Sequence, residues 1–126
     1  MSDDIHVVMD ETAMVAVGVG NRMVSRLIHR AHHDPGWHLY APACALVEAD
    51  RARPGIAEHI ASMPAIVLLE LNLAAALALG KAGTWGQAHA RFSAEPTVEL
   101  PEGAFIATTD TGRWDDQLVR LLDLTS

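Results

Sequence analysis

Cysteine, positive charge and long apolar runs are scarce in this 126-residue chain, and each scarcity excludes a class of protein. A single cysteine, Cys44, excludes an internal disulfide and a cysteine-based zinc knuckle. Because Cys44 lies among alanine and leucine, we expect a buried structural thiol rather than a nucleophile. The 16 acidic residues outnumber the 9 lysines and arginines, which argues against a broad basic surface for nucleic acid.

The longest apolar run, residues 71–80, is interrupted by Asn72 and has about half of the ~20 residues that a membrane span needs. The acidic start, residues 1–4, has no basic stretch followed by an apolar one, so we expect no secretory signal. These features predict a soluble cytoplasmic protein that does not enter a membrane. The length is that of one domain spanning residues 1–126.

Short apolar stretches alternate with helical patterns along the chain. The predicted strands are residues 5–10, 37–41, 65–71, 104–108 and 118–122. The predicted helices are residues 11–17, 21–33, 42–50, 56–63, 72–81 and 85–94, with N-caps at Asp10, Asn21, Asn72 and Thr84, Pro42 as a first helical residue and Gly83 as a stop. This order predicts an α/β fold of three layers, α/β/α, around a parallel sheet of four to five short strands.

Three carboxylates are expected to meet at one edge of that sheet. Asp10 and Asp110 each follow a predicted strand, and the carboxyl ends of parallel strands share an edge. Glu48 lies on an apolar helix after another strand, with Leu46 and Val47 expected to face inward. Carboxylates held together repel one another unless a cation lies between them, and Mg²⁺ or Mn²⁺ prefers such oxygen ligands. Two alternatives stay open: Asp10 as a helix cap only, and Glu48 turned to water.

In order and separation, several pieces of the chain together resemble the PIN-domain family, which occurs widely as the ribonuclease toxins of bacterial toxin–antitoxin pairs. These pieces are residues 7–10 with the alanine-rich helix after them, 39–42 with 46–49, 88–90, and 106–110. The resemblance implies that acidic residues hold one or two metal ions that activate water against an RNA phosphodiester. It matches Asp10 to the first acid of the family, Glu48 to the second and Asp110 to the last.

The third acid of the family is missing. It would stand at the start of the helix that carries residues 88–90, where this chain has Trp85, Gly86 and Gln87. Gln87 could offer a carbonyl oxygen to a metal, but a neutral ligand holds Mg²⁺ less well than a carboxylate does. A rival interpretation is therefore a degenerate, non-catalytic PIN-like module that binds RNA or protein. A further rival, a small α/β protein unrelated to nucleases, predicts that the three acids lie far apart.

Four further side chains are candidates for contact with substrate. Arg113 follows Asp110 and is expected to contact a phosphate. Thr108 and Thr109 are expected to hydrogen-bond the carboxylates or a water held by the metal, and His89 to lie either at the site entrance or packed in the core. The resemblance also implies RNA as substrate, an antitoxin protein as partner and a homodimer.

Overall fold

The structure, a computed structural model, describes residues 4–80 and 84–125, which form one sheet and six α-helices. The strands are β1 (Ile5–Met9), β2 (Trp37–Pro42), β3 (Ile66–Leu69), β4 (Phe105–Thr108) and β5 (Arg120–Asp123). The helices are α1 (Glu11–Gly18), α2 (Arg22–His33), α3 (Ala43–Ala52), α4 (Ile56–Ala61), α5 (Leu73–Leu79) and α6 (Trp85–Ala94), and a 3₁₀ turn covers Thr111–Trp114.

All five strands are parallel, in the order β3-β2-β1-β4-β5, so the N-terminal strand is central. Helices flank the sheet, which confirms the predicted three-layer α/β/α class. Met9 pairs with Ala107, so β1 and β4 end side by side. This register brings Asp10 and residues 108–110 to one edge.

The two faces of β1 build two cores, because successive side chains of a strand point to opposite faces. Val7 and Met9 pack in the larger core, formed with helices α1 to α4. Val8 points the other way and packs with Ala90 of α6 and with Trp114. The central strand is therefore buried on both faces, as its continuous apolar run predicts.

The predicted N-caps are confirmed at Asp10, Asn21, Asn72 and Thr84, each of which accepts the backbone N–H three residues further on. Pro42 differs from its prediction, because it ends β2 in extended backbone and the helix begins at Ala43. The predicted helix end at Lys81 and the stop at Gly83 lie outside the described residues.

The strand that is clearest in the sequence, residues 65–71, is shorter in the structure and lies at the edge of the sheet. Val67 and Leu68 are accordingly exposed. The prediction that Val47 faces inward is wrong, because its side chain is 52% exposed on the outer side of α3. Across residues 4–80 and 84–125, every helix is too short to cross a bilayer.

Candidate functional site

Asp10 is fully buried after β1, and protein donors reach both of its carboxylate oxygens. Oδ1 accepts the backbone N–H of Ala13 at 3.0 Å and the hydroxyl of Thr12 at 2.6 Å. Oδ2 accepts the indole N–H of Trp114 at 3.1 Å. The bond from Ala13 confirms the capping role. A carboxylate has about four acceptor positions, so a position on Oδ2 is left for one more ligand.

Thr12 connects the ends of β1 and β4, a role that the sequence analysis did not assign. Its only O–H donates to Asp10, so its oxygen acts as acceptor in its other two bonds. It accepts the backbone N–H of Thr109 at 3.0 Å and the hydroxyl of Thr108, 3.1 Å away. The Thr108 oxygen in turn accepts the backbone N–H of Asp110 at 3.0 Å. Thr108 is fully buried. Through these hydrogen bonds, Thr12 and Thr108 hold Asp10 and Asp110 in position at the ends of β1 and β4.

Arg113 lies between acidic side chains from different elements. Its guanidinium forms an ion pair and hydrogen bond with Glu11, and its Nε lies 3.5 Å from Oδ2 of Asp110. Nε makes no hydrogen bond within the described residues, so the contact with Asp110 is the looser of the two. Burial lowers the pKa of Arg113, but Glu11, Asp10 and Asp110 raise it more. The guanidinium thus supplies positive charge where the sequence predicts a divalent cation.

Glu11 is the acidic residue that the sequence analysis missed. Glu11 directly follows Asp10, which the sequence analysis assigned to the site, and this adjacency was the signal that could have identified it. Burial raises its pKa, and Asp10 and Glu48 raise it further, although Arg113 lowers it. Carboxylates from β1, α1 and α3 are therefore close enough to interact electrostatically, and Arg113 only partly neutralises them.

Glu48 lies on α3 and approaches the start of α6. Its Oε1 accepts the hydroxyl of Thr84 at 3.3 Å. A Cβ added to Gly86 would overlap the Glu48 carboxylate and would lie 3.0 Å from Cα of Ala45. Glycine at position 86 therefore lets α3 and α6 approach closely, and Glu48 lies over the backbone of α6.

The position at which the resemblance to PIN domains implies a third acid falls at this crowded helix start. Gly86 has no room for a side chain while Glu48 stays in place. Trp85 is 68% exposed, and the Gln87 side-chain amide donates to the Arg113 carbonyl oxygen at 3.4 Å. The three residues of this segment thus contribute no carboxylate, and Gln87 holds the backbone of Arg113.

His89 lies in the packed position rather than at a site entrance. It is 1% exposed, and its Nδ1 accepts the backbone N–H of Cys44 at 3.2 Å. Burial lowers the pKa of His89, whereas a hydrogen bond with the backbone of Glu70 raises it by a smaller amount. Cys44 is itself buried, as expected. Burial raises the pKa of its thiol, and the charge of Glu48 raises it further. His89 therefore joins α6 to α3 and to the chain after β3.

The structure thus brings Asp10, Glu48 and Asp110 to the same edge of the sheet, around Glu11 and Arg113. Their ligand atoms are not packed into a preformed metal cage. Among the described residues, only one group of three metal-binding side chains has its ligand atoms within 4.8 Å of one another, and that group lies elsewhere in the fold. The donor chemistry, carboxylate oxygens only, still fits a hard divalent cation, since Asp10 Oδ2 keeps an acceptor position and Asp110 is 56% exposed.

Comparison with known proteins finds no match to a family model, to a curated protein or to a solved structure. The resemblance to PIN domains therefore rests on the sequence of this chain alone.

Proposed function

We propose that this chain is a cytoplasmic, metal-dependent ribonuclease of the PIN type, the toxin of a toxin–antitoxin pair, that hydrolyses RNA phosphodiesters with Mg²⁺ or Mn²⁺. The observation that carries the proposal is the convergence of acids from separate elements, Glu11 and Asp110, on the single guanidinium of Arg113. Such a concentration of carboxylates at the carboxyl ends of parallel strands is costly for folding and is typical of a functional site.

The chain holds each acid by a different device. Asp10 is fixed by the N-terminus of α1, by Thr12 and by Trp114, so its orientation cannot vary much. Glu48 is held by Thr84, and Asp110 is more exposed and pairs only loosely with Arg113. The site thus combines one buried acid held by three hydrogen bonds with two acids that make fewer contacts.

Asp10, Glu48 and Asp110 would hold the cation. When bound, Mg²⁺ or Mn²⁺ supplies positive charge against the phosphodiester and makes water a better nucleophile at neutral pH. Because residues 85–87 lack the third acid that the resemblance implies, we expect weaker metal binding than a four-acid site would give.

Arg113 is the candidate phosphate ligand. Its Nε is buried without a hydrogen-bond acceptor in the described part of the chain, so a phosphate oxygen would satisfy a donor that Asp110 satisfies poorly. Beside it, a cavity of about 490 Å³ is lined by residues that include Gln87, Arg91 and Trp114. This volume lies within the roughly 300–1,000 Å³ of cavities that bind small molecules, but neither Arg113 nor any of the three proposed metal ligands lines it.

RNA cleavage by the purified chain with Mn²⁺ tests the proposal, with Asp10→Asn as the variant and Asp34→Asn as control. Asp34 is a partly exposed residue at the end of α2, outside the acidic edge. We expect cleavage by the wild type and by Asp34→Asn, and a loss of at least ~100-fold in Asp10→Asn. Equal cleavage by all three proteins, or none by any of them, contradicts the proposal.

A second candidate is a non-catalytic PIN-like module that binds RNA or protein. The ion pairs of Arg113 and the filled space at Gly86 favour it, because an internal cation and a missing acid make a divalent ion less necessary. Calorimetric titration with Mg²⁺ and Mn²⁺ separates the candidates: the nuclease binds metal through Asp10, whereas the module binds RNA or its partner equally well in EDTA.

Association with a second copy or with an antitoxin is also proposed. Exposed apolar side chains cluster in sequence around β3 and α5: Val67, Leu68, Leu71, Leu73, Leu77 and the nearby Trp85. An edge strand with such neighbours is suited to cover by another chain. Sedimentation of the chain alone and of a Leu73→Asp/Leu77→Asp variant tests homodimer formation, and a monomeric wild type at ~100 µM would reject it.

A further inference from the structure

A second cluster of polar side chains lies at the opposite end of the sheet from the acids, where β1 and β2 begin. His6 and His38 are register partners on these two strands, and Asp4 precedes β1. Each of the three offers one ligand atom, and these atoms all lie within 4.8 Å of one another. Neither the resemblance to nucleases nor the proposed reaction uses these residues.

We propose that Asp4, His6 and His38 form a binding site for a divalent transition-metal ion of the zinc class. Two imidazoles and one carboxylate are ligands that Zn²⁺ accepts, with a fourth position left for water or another ligand. Zinc lies about 2.0–2.2 Å from nitrogen and oxygen ligands, which puts ligand atoms of a tetrahedral site about 3.3–3.5 Å apart. The two rings stack at an interplanar angle of 11°, so both must rotate before their nitrogens can point at one ion.

The neighbours of the cluster are arranged to support a metal ligand. The hydroxyl of Tyr40 lies 2.8 Å from Nδ1 of His6, and the rings of His6 and His38 stack with centroids 4.5 Å apart. Metal-binding histidines commonly use one nitrogen for the metal and the other for a fixed polar partner, which sets the tautomer. With Nδ1 of His6 protonated and donating to the Tyr40 hydroxyl oxygen, Nε2 would carry the lone pair that binds the ion.

The ligand atoms of the cluster already lie close together without a metal ion. Nε2 of His38 lies 2.9 Å from Oδ2 of Asp4, so the two side chains already face each other. Burial, with a smaller contribution from His38, lowers the pKa of His6 against the opposing effect of Asp4.

Ligand chemistry separates this site from the acidic edge. Imidazole nitrogen favours zinc, copper and nickel over magnesium, whereas carboxylates alone favour magnesium and manganese. The chain also carries a rival pair, His29 and His33, one turn apart on α2 with ring centroids 4.2 Å apart. Among the described residues, no carboxylate lies close enough to this exposed pair to complete a group of three ligands. The pair is therefore a matched control.

Titration of the metal-stripped full chain with Zn²⁺ by calorimetry, and with Co²⁺ by visible absorption, tests the proposal. We expect one equivalent of Zn²⁺, bound more than ~100-fold more weakly by His38→Ala and about 10–100-fold more weakly by Tyr40→Phe. The His29→Ala/His33→Ala variant should bind within about twofold of the wild type, and excess Mg²⁺ should not compete.

The proposal is overturned if the wild type binds no Zn²⁺, if His38→Ala binds it equally well, or if the α2 variant loses it. Circular dichroism of His38→Ala in EDTA checks that the variant keeps the secondary-structure content of the wild type. Histidine ring resonances of the wild type give a second measurement that needs no variant: Zn²⁺ should shift His6 and His38 and leave His29 and His33 unchanged.

Discussion

Replacing Thr12 with valine removes the hydroxyl that connects β1 to β4 while keeping the side-chain shape. The wild-type hydroxyl donates to the buried carboxylate of Asp10, and a hydrogen bond to a charged group contributes about 1.5–3 kcal/mol. The same oxygen accepts from Thr109 N–H and the Thr108 hydroxyl, and each donor left without an acceptor costs about 1 kcal/mol at partial burial. We expect Thr12→Val to lower the free energy of unfolding by about 3 kcal/mol, less than the simple sum because the bonds share one atom.

Thr12→Ser is the matched control, because it keeps the hydroxyl and removes only a methyl group. Its expected cost is below ~1 kcal/mol. Urea denaturation followed by tryptophan fluorescence measures both variants, since Trp114 also bonds Asp10 and reports on this corner. Free energies of unfolding for Val and Ser that agree within ~0.5 kcal/mol would refute the assignment of Thr12 as the connection between the strand ends.

Three further predictions concern the charges and packing of the site. Arg113→Met should lower the free energy of unfolding by about 1–2 kcal/mol, a value reduced for partial exposure, because Glu11 then lacks its counter-ion. The control Arg30→Met removes an exposed pair with Asp34 and should change the free energy of unfolding by less than ~0.5 kcal/mol. Equal effects of the two variants in urea unfolding would contradict this prediction. Gly86→Ala should lower the thermal midpoint, because overpacking against α3 costs about 1–3 kcal/mol. Gly80→Ala should not, because among the described residues its Cβ would meet only the Leu77 carbonyl oxygen, at 3.6 Å. Burial lowers the pKa of His89 below its ordinary value of about 6.5, so the unfolded chain binds more protons than the folded chain just below that pH. Stability should therefore rise with pH up to about 6.5, and denaturation midpoints measured from about pH 5 to 7.5 should rise less in His89→Gln.

Local signals in the sequence sufficed for most of the fold. The caps at Asn21, Asn72 and Thr84 were predictable because a short polar side chain that accepts an N–H three residues on needs only neighbouring backbone. The parallel sheet followed from the alternation of apolar stretches with helices. The edge position of β3 was not predictable, because hydrophobic pattern reports burial tendency and not which strands become neighbours.

The acidic edge was predictable as a place and not as an arrangement. Asp10 and Asp110 follow strands, so topology alone sends them to one edge. The participation of Glu11 and the bonds of Thr12 depend on where α1 lies against β4, about 100 residues away in the chain. The tertiary structure likewise places Arg113 among the carboxylates.

By itself, the sequence determined the element types, the caps, the acidic balance and the absence of a third acid at positions 85–87, because each depends on residue identity and local spacing. Only the tertiary structure decided that Arg113 shares the site with the acids and that the Glu48 carboxylate occupies the space beside Gly86. It also decided that His6 and His38 lie side by side on neighbouring strands. These contacts join residues distant in sequence, and their geometry follows from strand register and helix packing, which no local pattern specifies.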